Sequence, residues 1–130
     1  MWRPRKRERG QSMVEFALVL PLMLLVLMGM VDFSRMLGVY LTLQNATREG
    51  ARLAVTGATD SAIAARVDAM APTLTASSLT VTVTPAQGSR TSGSDVTIAS
   101  RYPYKIMTPV VSAIVGGTID LSFATTSRME

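Results

Sequence analysis

GQSMVEFALVLPLMLLVLMGMV, residues 10–31, is the stretch from which the rest of this chain hangs. Residues 13–31 are nineteen consecutive positions whose only ionisable side chain is Glu15. As a helix they span about 28 Å, close to the roughly 30 Å hydrocarbon core of a bilayer. A buried soluble helix is the alternative. It fits poorly, because 130 residues leave too little protein to surround such a helix on every side.

Moving outward toward the N-terminus, Arg3, Arg5, Lys6, Arg7 and Arg9 stand against Glu8, which places the whole +4 formal charge in the first nine residues. A cluster of this kind also suits nucleic acid. Lying directly against an apolar run, it reads more simply as positive-inside topology, with the tail cytoplasmic, residues 11–31 transmembrane and the remainder across the membrane. Residues 32–57 then continue the helix outside, and residues 58–130 form a small extracytoplasmic domain. The apolar run is longer than the about 7–15 residues of a secretory signal, and no small-residue cleavage site follows Met30. The span is therefore expected to be retained.

Composition removes whole classes of chemistry. With no cysteine there are no disulfides, zinc thiolates or thiol nucleophiles, and with no histidine there is no Ser-His-Asp triad. Lys105 is the one lysine outside the tail, and no base accompanies it at a recognisable spacing. The expectation is a non-enzyme with no cofactor and no metal.

The junction at residues 10–16 is more specific. Gly10, Gln11, then Glu15 and Phe16, followed by an apolar run containing Pro21, resembles the prepilin signal of type IV pilin-like proteins. The resemblance implies that a prepilin peptidase cuts after Gly10, that Gln11 becomes the first mature residue, and that Glu15 falls at the fifth mature position. Residues 1–10 would then be a leader. Cleavage would remove the +4 tail and create an α-amino group about 6 Å above Glu15. A lone carboxylate at the centre of a membrane helix costs about 2.5–3.5 kcal/mol, less near the interface, so a neighbouring subunit's amine would be rewarded for pairing with it. The alternative is a Glu15 that only reaches the headgroups. Pro21 removes one helical hydrogen bond, and either permits local melting in an assembly or is simply a kink.

Beyond Val31 the helical period continues through Phe33, Met36, Leu37, Tyr40, Leu41, Ala46, Leu53 and Ala54. Gly57 is the stop, so one helix of about 65 Å is expected over residues 12–56. Within its outer half, Arg48-Glu49-Gly50-Ala51-Arg52, together with the Glu15-Phe16 junction and residues 32–40, resembles the TadE-like family, the minor pseudopilins of the tight adherence (Flp) pilus system. The likeness covers about residues 10–55. It implies as partners the prepilin peptidase, other minor pseudopilins, the Flp pilin, and a platform with its ATPase, besides membrane lipid. Unlike a major Flp pilin, which is little more than its helix, this chain carries about 75 further residues. Arg48 and Arg52 share a helix face and Gly50 leaves room for another backbone; the three form either a subunit contact or a solvated face.

The C-terminal part predicts a short helix capped by Asp60 with Ile63, Val67 and Met70 on one face, closed by Pro72. Strand alternation follows at Leu79/Val81/Val83, at Val96/Ile98 and at Ile119/Leu121/Phe123. Residues 86–94 read as a flexible hairpin loop, and residues 104–115 as a crossover broken by Pro109 with one helical turn. Three strands and one short helix bury little surface alone. Tyr40, Leu43, Thr47 and Leu53 are therefore expected against Val81, Val83, Ile98, Leu121 and Phe123. The fold class is α+β: a long membrane-spanning helix continuing as a spine packed on a small three-stranded antiparallel sheet with one short extra helix. The rival function is an uncleaved signal-anchored protein with an extracytoplasmic binding domain.

Overall fold

Helix α1 runs unbroken from Glu8 to Val55 in the computed structural model, which describes residues 8–130, with side chains from Gly10 onward. Most of the expected leader therefore lies outside the described residues. At 48 residues α1 is about 72 Å long, starting four residues earlier than the sequence suggests and continuing through Pro21. It ends where Gly57 takes a positive φ of 78°, a conformation that glycine adopts without strain.

Helix α2, Asp60–Ala69, is capped by Thr59, not Asp60: the Thr59 hydroxyl accepts the Ala62 N–H at 3.2 Å. Asp60 opens the helix instead, because its carboxylate pairs with Arg90 and accepts the Gln87 N–H. Ile63 and Val67 are fully buried, but Met70 is exposed, since the helix ends at Ala69 and Met70 leaves the helical period as the C-cap. Ala71 and Leu74 take its expected place in the core.

Three strands follow: β1 Thr80–Thr84, β2 Asp95–Lys105 and β3 Thr118–Arg128, antiparallel in the order β1-β2-β3. Registers Val83↔Ile98, Ser100↔Phe123 and Tyr102↔Leu121 line the apolar side chains of all three strands on one face. Strands β2 and β3 reach eleven residues each. Strand β2 continues through Pro103 because β1 begins only opposite Arg101, leaving one edge beyond it without a ladder to interrupt. The expected crossover holds a third helix, α3, Pro109–Val115, two turns in place of one. Pro109 starts this helix, a position where its missing N–H costs nothing, and Gly116 at φ 95° closes it.

The apolar sheet face packs on the outer half of α1, as the sequence predicts. Leu43 and Ala46 join Val67, Ala71 and Leu74 in one core cluster, with Val81, Leu121 and Phe123 against it. Ala51 and Ala54 join Ile63, Val96 and Ile98 in another. Tyr40 meets Phe123 edge to face, with ring centroids 6.4 Å apart. Thr47, fully buried, donates its hydroxyl to the Leu43 carbonyl at 2.6 Å and lies 2.8 Å from Ser100 Oγ. Leu53 belongs to neither cluster, contrary to expectation. The buried line advances through Leu43, Thr47, Gly50 and Ala54, and Leu53 is rotated off it.

Residues 86–94 are tied down, not a free loop. Arg90, nearly inaccessible, donates to the carbonyls of Pro85 at 2.8 Å and Ala58 at 3.0 Å and pairs with Asp60, joining this loop to the α1–α2 turn.

Candidate functional site

The inner half of α1 is almost wholly exposed, meeting the rest of the chain only near its outer end, where Leu24, Leu27 and Met28 border Met107 and Pro109. It is long and apolar enough to cross a bilayer, its most apolar 18-residue window has a mean hydropathy of 2.5, and none of that window is buried. A soluble core helix would be covered, so the alternative of a buried helix does not apply. Such a helix fits a single-pass membrane protein.

Every site residue expected in this half is exposed: Gly10, Gln11, Glu15, Phe16 and Pro21. Among the described residues a Cβ added at Gly10 meets nothing within 4 Å beyond its own stretch of helix, so their packing makes no demand for glycine there. The Gly10–Gln11 bond lies inside a helical turn. Gln11 and Glu15, one turn apart on the same face, are linked by a 3.1 Å hydrogen bond from Gln11 Nε2 to Glu15 Oε1.

The second expected group divides. The Arg48 guanidinium sits over the Phe123 ring, 5.7 Å from its centroid, and so holds the spine to β3. Gly50 is buried, and a Cβ there would lie 2.5 Å from Val67 Cγ2 and 3.5 Å from Ile63 Cγ2. The room it leaves is filled by α2 of the same chain. Arg52 is the outward member, its side chain 83% exposed. Glu49, between them, pairs with Arg66 at 2.8 Å and Arg52 at 3.6 Å. The Arg66 hydrogen bond holds the Glu49 carboxyl below its ordinary range, and the charges of Arg52 and Arg66 add to this against a desolvation that opposes it.

A third group was not anticipated. Asp32, immediately after the apolar run, is 7% exposed. Its carboxylate accepts the Thr108 N–H at 2.9 Å and the Met107 N–H at 3.3 Å, and its carbonyl accepts the Tyr104 hydroxyl at 3.4 Å. Hydrogen bonding by the Thr108 side chain holds this carboxyl below its ordinary range; desolvation opposes that, while the two backbone N–H groups and Arg35 reinforce it. The available signal was an acid at the foot of the span with a Thr-Pro helix start far along the chain, and nothing in either segment alone pairs the two. The junction orders the backbone at Met107 and Thr108. Among the described residues no cluster of three or more carboxylate, histidine or cysteine side chains is placed to hold a metal.

No curated protein and no solved structure matches the chain. Residues 10–52, a third of the chain and nearly all of α1, match the family model described as TadE-like protein, so the long helix on which this head is built is similar to the segment that defines that family.

Proposed function

We propose that the protein is a minor pseudopilin of tight adherence (Flp) pilus assembly. The TadE-like match points to the tight adherence pilus system. The finer reading rests on one observation: the match falls on a single continuous helix whose inner half is bare apolar surface and whose outer half is the spine of a folded head. That is the form of a subunit held in a membrane and able to pack side by side with similar helices. In this reading the basic tail stays in the cytoplasm, α1 crosses the inner membrane, and the head lies outside. A prepilin peptidase cuts after Gly10, and the new Gln11 amine and the Glu15 carboxylate align one helix against the next. The other minor pseudopilins, the Flp pilin, and the platform with its ATPase are the partners. The protein's role is structural, without turnover.

The test is the N-terminus of the protein extracted from its native membrane, by sequencing and intact mass, with and without the peptidase. A chain beginning at Gln11 only where the peptidase is present is the expected result. A chain that still begins at Met1 in its presence removes the filament role and leaves a tethered outer domain.

A further inference from the structure

Residues 106–119 contain no charged side chain. This segment carries α3 and, outside α1, it concentrates the exposed apolar surface of the molecule. Among the described residues beyond α1, the exposed large hydrophobic side chains are Met70 and four from this segment: Met107, Val110, Ile114 and Val115. Val110 and Ile114 are four apart on α3, which sets them on one helix face, Met107 is exposed just before the helix begins, and Ile114 is 78% exposed. A head meant to be wholly solvated would not gather these side chains in one place.

The location of this patch identifies what covers it. Asp32 holds the backbone of Met107 and Thr108, so the segment begins level with the residue just past the apolar run. Met107 and Pro109 share an apolar groove with Leu24, Leu27 and Met28 of the span, and Val111 and Val115 share a second cavity with Gly29 and Phe33. The exposed face of α3 is therefore continuous with the lipid-facing surface of α1. Arg35, one turn beyond Asp32, and Lys105, the last residue of β2, line one cleft on the head side. Cations there suit the phosphate layer above an apolar contact.

We propose that residues 106–117 are a second membrane contact, with Met107, Val110, Ile114 and Val115 seated in the outer interfacial layer of the bilayer beside the span. The occupant of this face is lipid. The contact rests on the reading of α1 as a transmembrane helix, and it adds a function to the crossover: it fixes how deep the helix sits and how the head is oriented over the membrane. Insertion of such a face extends about 5–10 Å into the boundary between headgroups and acyl chains.

The absence of cysteine makes the test direct. Ile114→Cys, Leu22→Cys and Thr82→Cys, all at exposed positions, are each labelled with an environment-sensitive fluorophore on the full chain, in nanodiscs holding one copy. Quenching is measured with aqueous iodide and with lipid spin-labelled near the glycerol end. The label at 114 should be quenched severalfold less by iodide than the label at 82, and strongly by the shallow spin label; the label at 22 should be shielded from iodide throughout. Iodide quenching at 114 equal to that at 82, with 22 still shielded, overturns the second contact alone. Iodide access at 22 overturns the span and the contact with it. Shielding at 114 that appears only when two chains share a disc overturns lipid as the occupant in favour of a second copy.

Discussion

Asp32 and Thr108 are 76 residues apart in the chain, and the Asp32 carboxylate accepts the Thr108 backbone N–H at 2.9 Å. This contact joins the end of the apolar run to the start of α3, so the head is fastened to the helix at its membrane end as well as along the spine. Asp32→Asn keeps one oxygen but turns the other acceptor into a donor facing the Met107 or Thr108 N–H. The amides of Met107 and Thr108 should then exchange hydrogen severalfold faster, while those of β2 opposite β1 keep their protection. Unchanged exchange at 107 and 108 would show that the junction is held without the carboxylate.

The same carboxyl makes a pH prediction with a definite sign. Its value in the fold lies below the ordinary 3.8. The unfolded chain thus takes up the proton first as pH falls, and the stabilisation is present above 3.8 and lost as pH drops through the lower folded value. Glu49 behaves alike from its ordinary 4.5. Stability followed by thermal unfolding should be level from neutral pH down to about pH 5 and then fall. The double variant Asp32→Asn, Glu49→Gln should start less stable and show a shallower acid decline.

Gly50 is required by packing. Alanine there meets Val67, a stiff β-branched side chain with no exposed surface. Overpacking costs about 1–3 kcal/mol and the gain in helix propensity returns about 1 kcal/mol, so Gly50→Ala should lose up to about 2 kcal/mol in urea unfolding. Combining it with Val67→Ala opens the space, and the double variant should be more stable than the sum of the two single losses. Simple additivity would mean that α2 shifts freely away from Gly50.

Thr47 and Ser100 form a buried hydroxyl pair between spine and sheet. Thr47→Val keeps the volume but leaves the Ser100 hydroxyl without that partner, a loss of about 1–3 kcal/mol. Thr47→Val with Ser100→Ala removes both polar groups and should recover most of it. A double variant no better than the single one would locate the loss in side-chain shape.

These pairings mark where a one-dimensional reading stops. Helix and strand periods are local properties, so α1, the three strands and their apolar faces followed from spacing, and Leu43, Thr47, Ile98 and Phe123 lie where that spacing puts them. Asp32, Arg90 and Gly50 act through partners far along the chain, namely Thr108, Asp60 and Val67, and no local period carries that information. Leu53 illustrates the converse: hydrophobicity alone favours it over Ala54 for the core, whereas the close approach of α2 selects small residues on that face. The residues proposed for processing and for assembly are another kind of case, because Gly10 and Glu15 are exposed on the bare half of α1, and their pattern is readable only as a resemblance.

Glu15 is exposed on the bare half of α1, where its carboxylate accepts a 3.1 Å hydrogen bond from the Gln11 side chain. Glu15→Val makes the span more apolar and leaves the head untouched, so insertion and removal of the leader should proceed as in the parent chain. Piliation of cells carrying only this variant should fall sharply if the carboxylate aligns subunits. Normal piliation would reduce Glu15 to a headgroup contact.

Gly10→Ala separates recognition from folding. Among the described residues the added Cβ meets nothing within 4 Å apart from its own stretch of helix, and α1 already runs through this position, so alanine should strengthen the helix by up to about 1 kcal/mol. A peptidase must nevertheless admit the Gly10–Gln11 bond in an unwound form, with the backbone close to its catalytic groups, and both requirements favour glycine. The variant should insert, show the same far-UV helicity as the parent, and accumulate as a precursor whose intact mass retains Met1 or Trp2. Cleavage at the parental rate would mean that the glycine is not what the peptidase reads, and the site would have to be sought elsewhere in the junction.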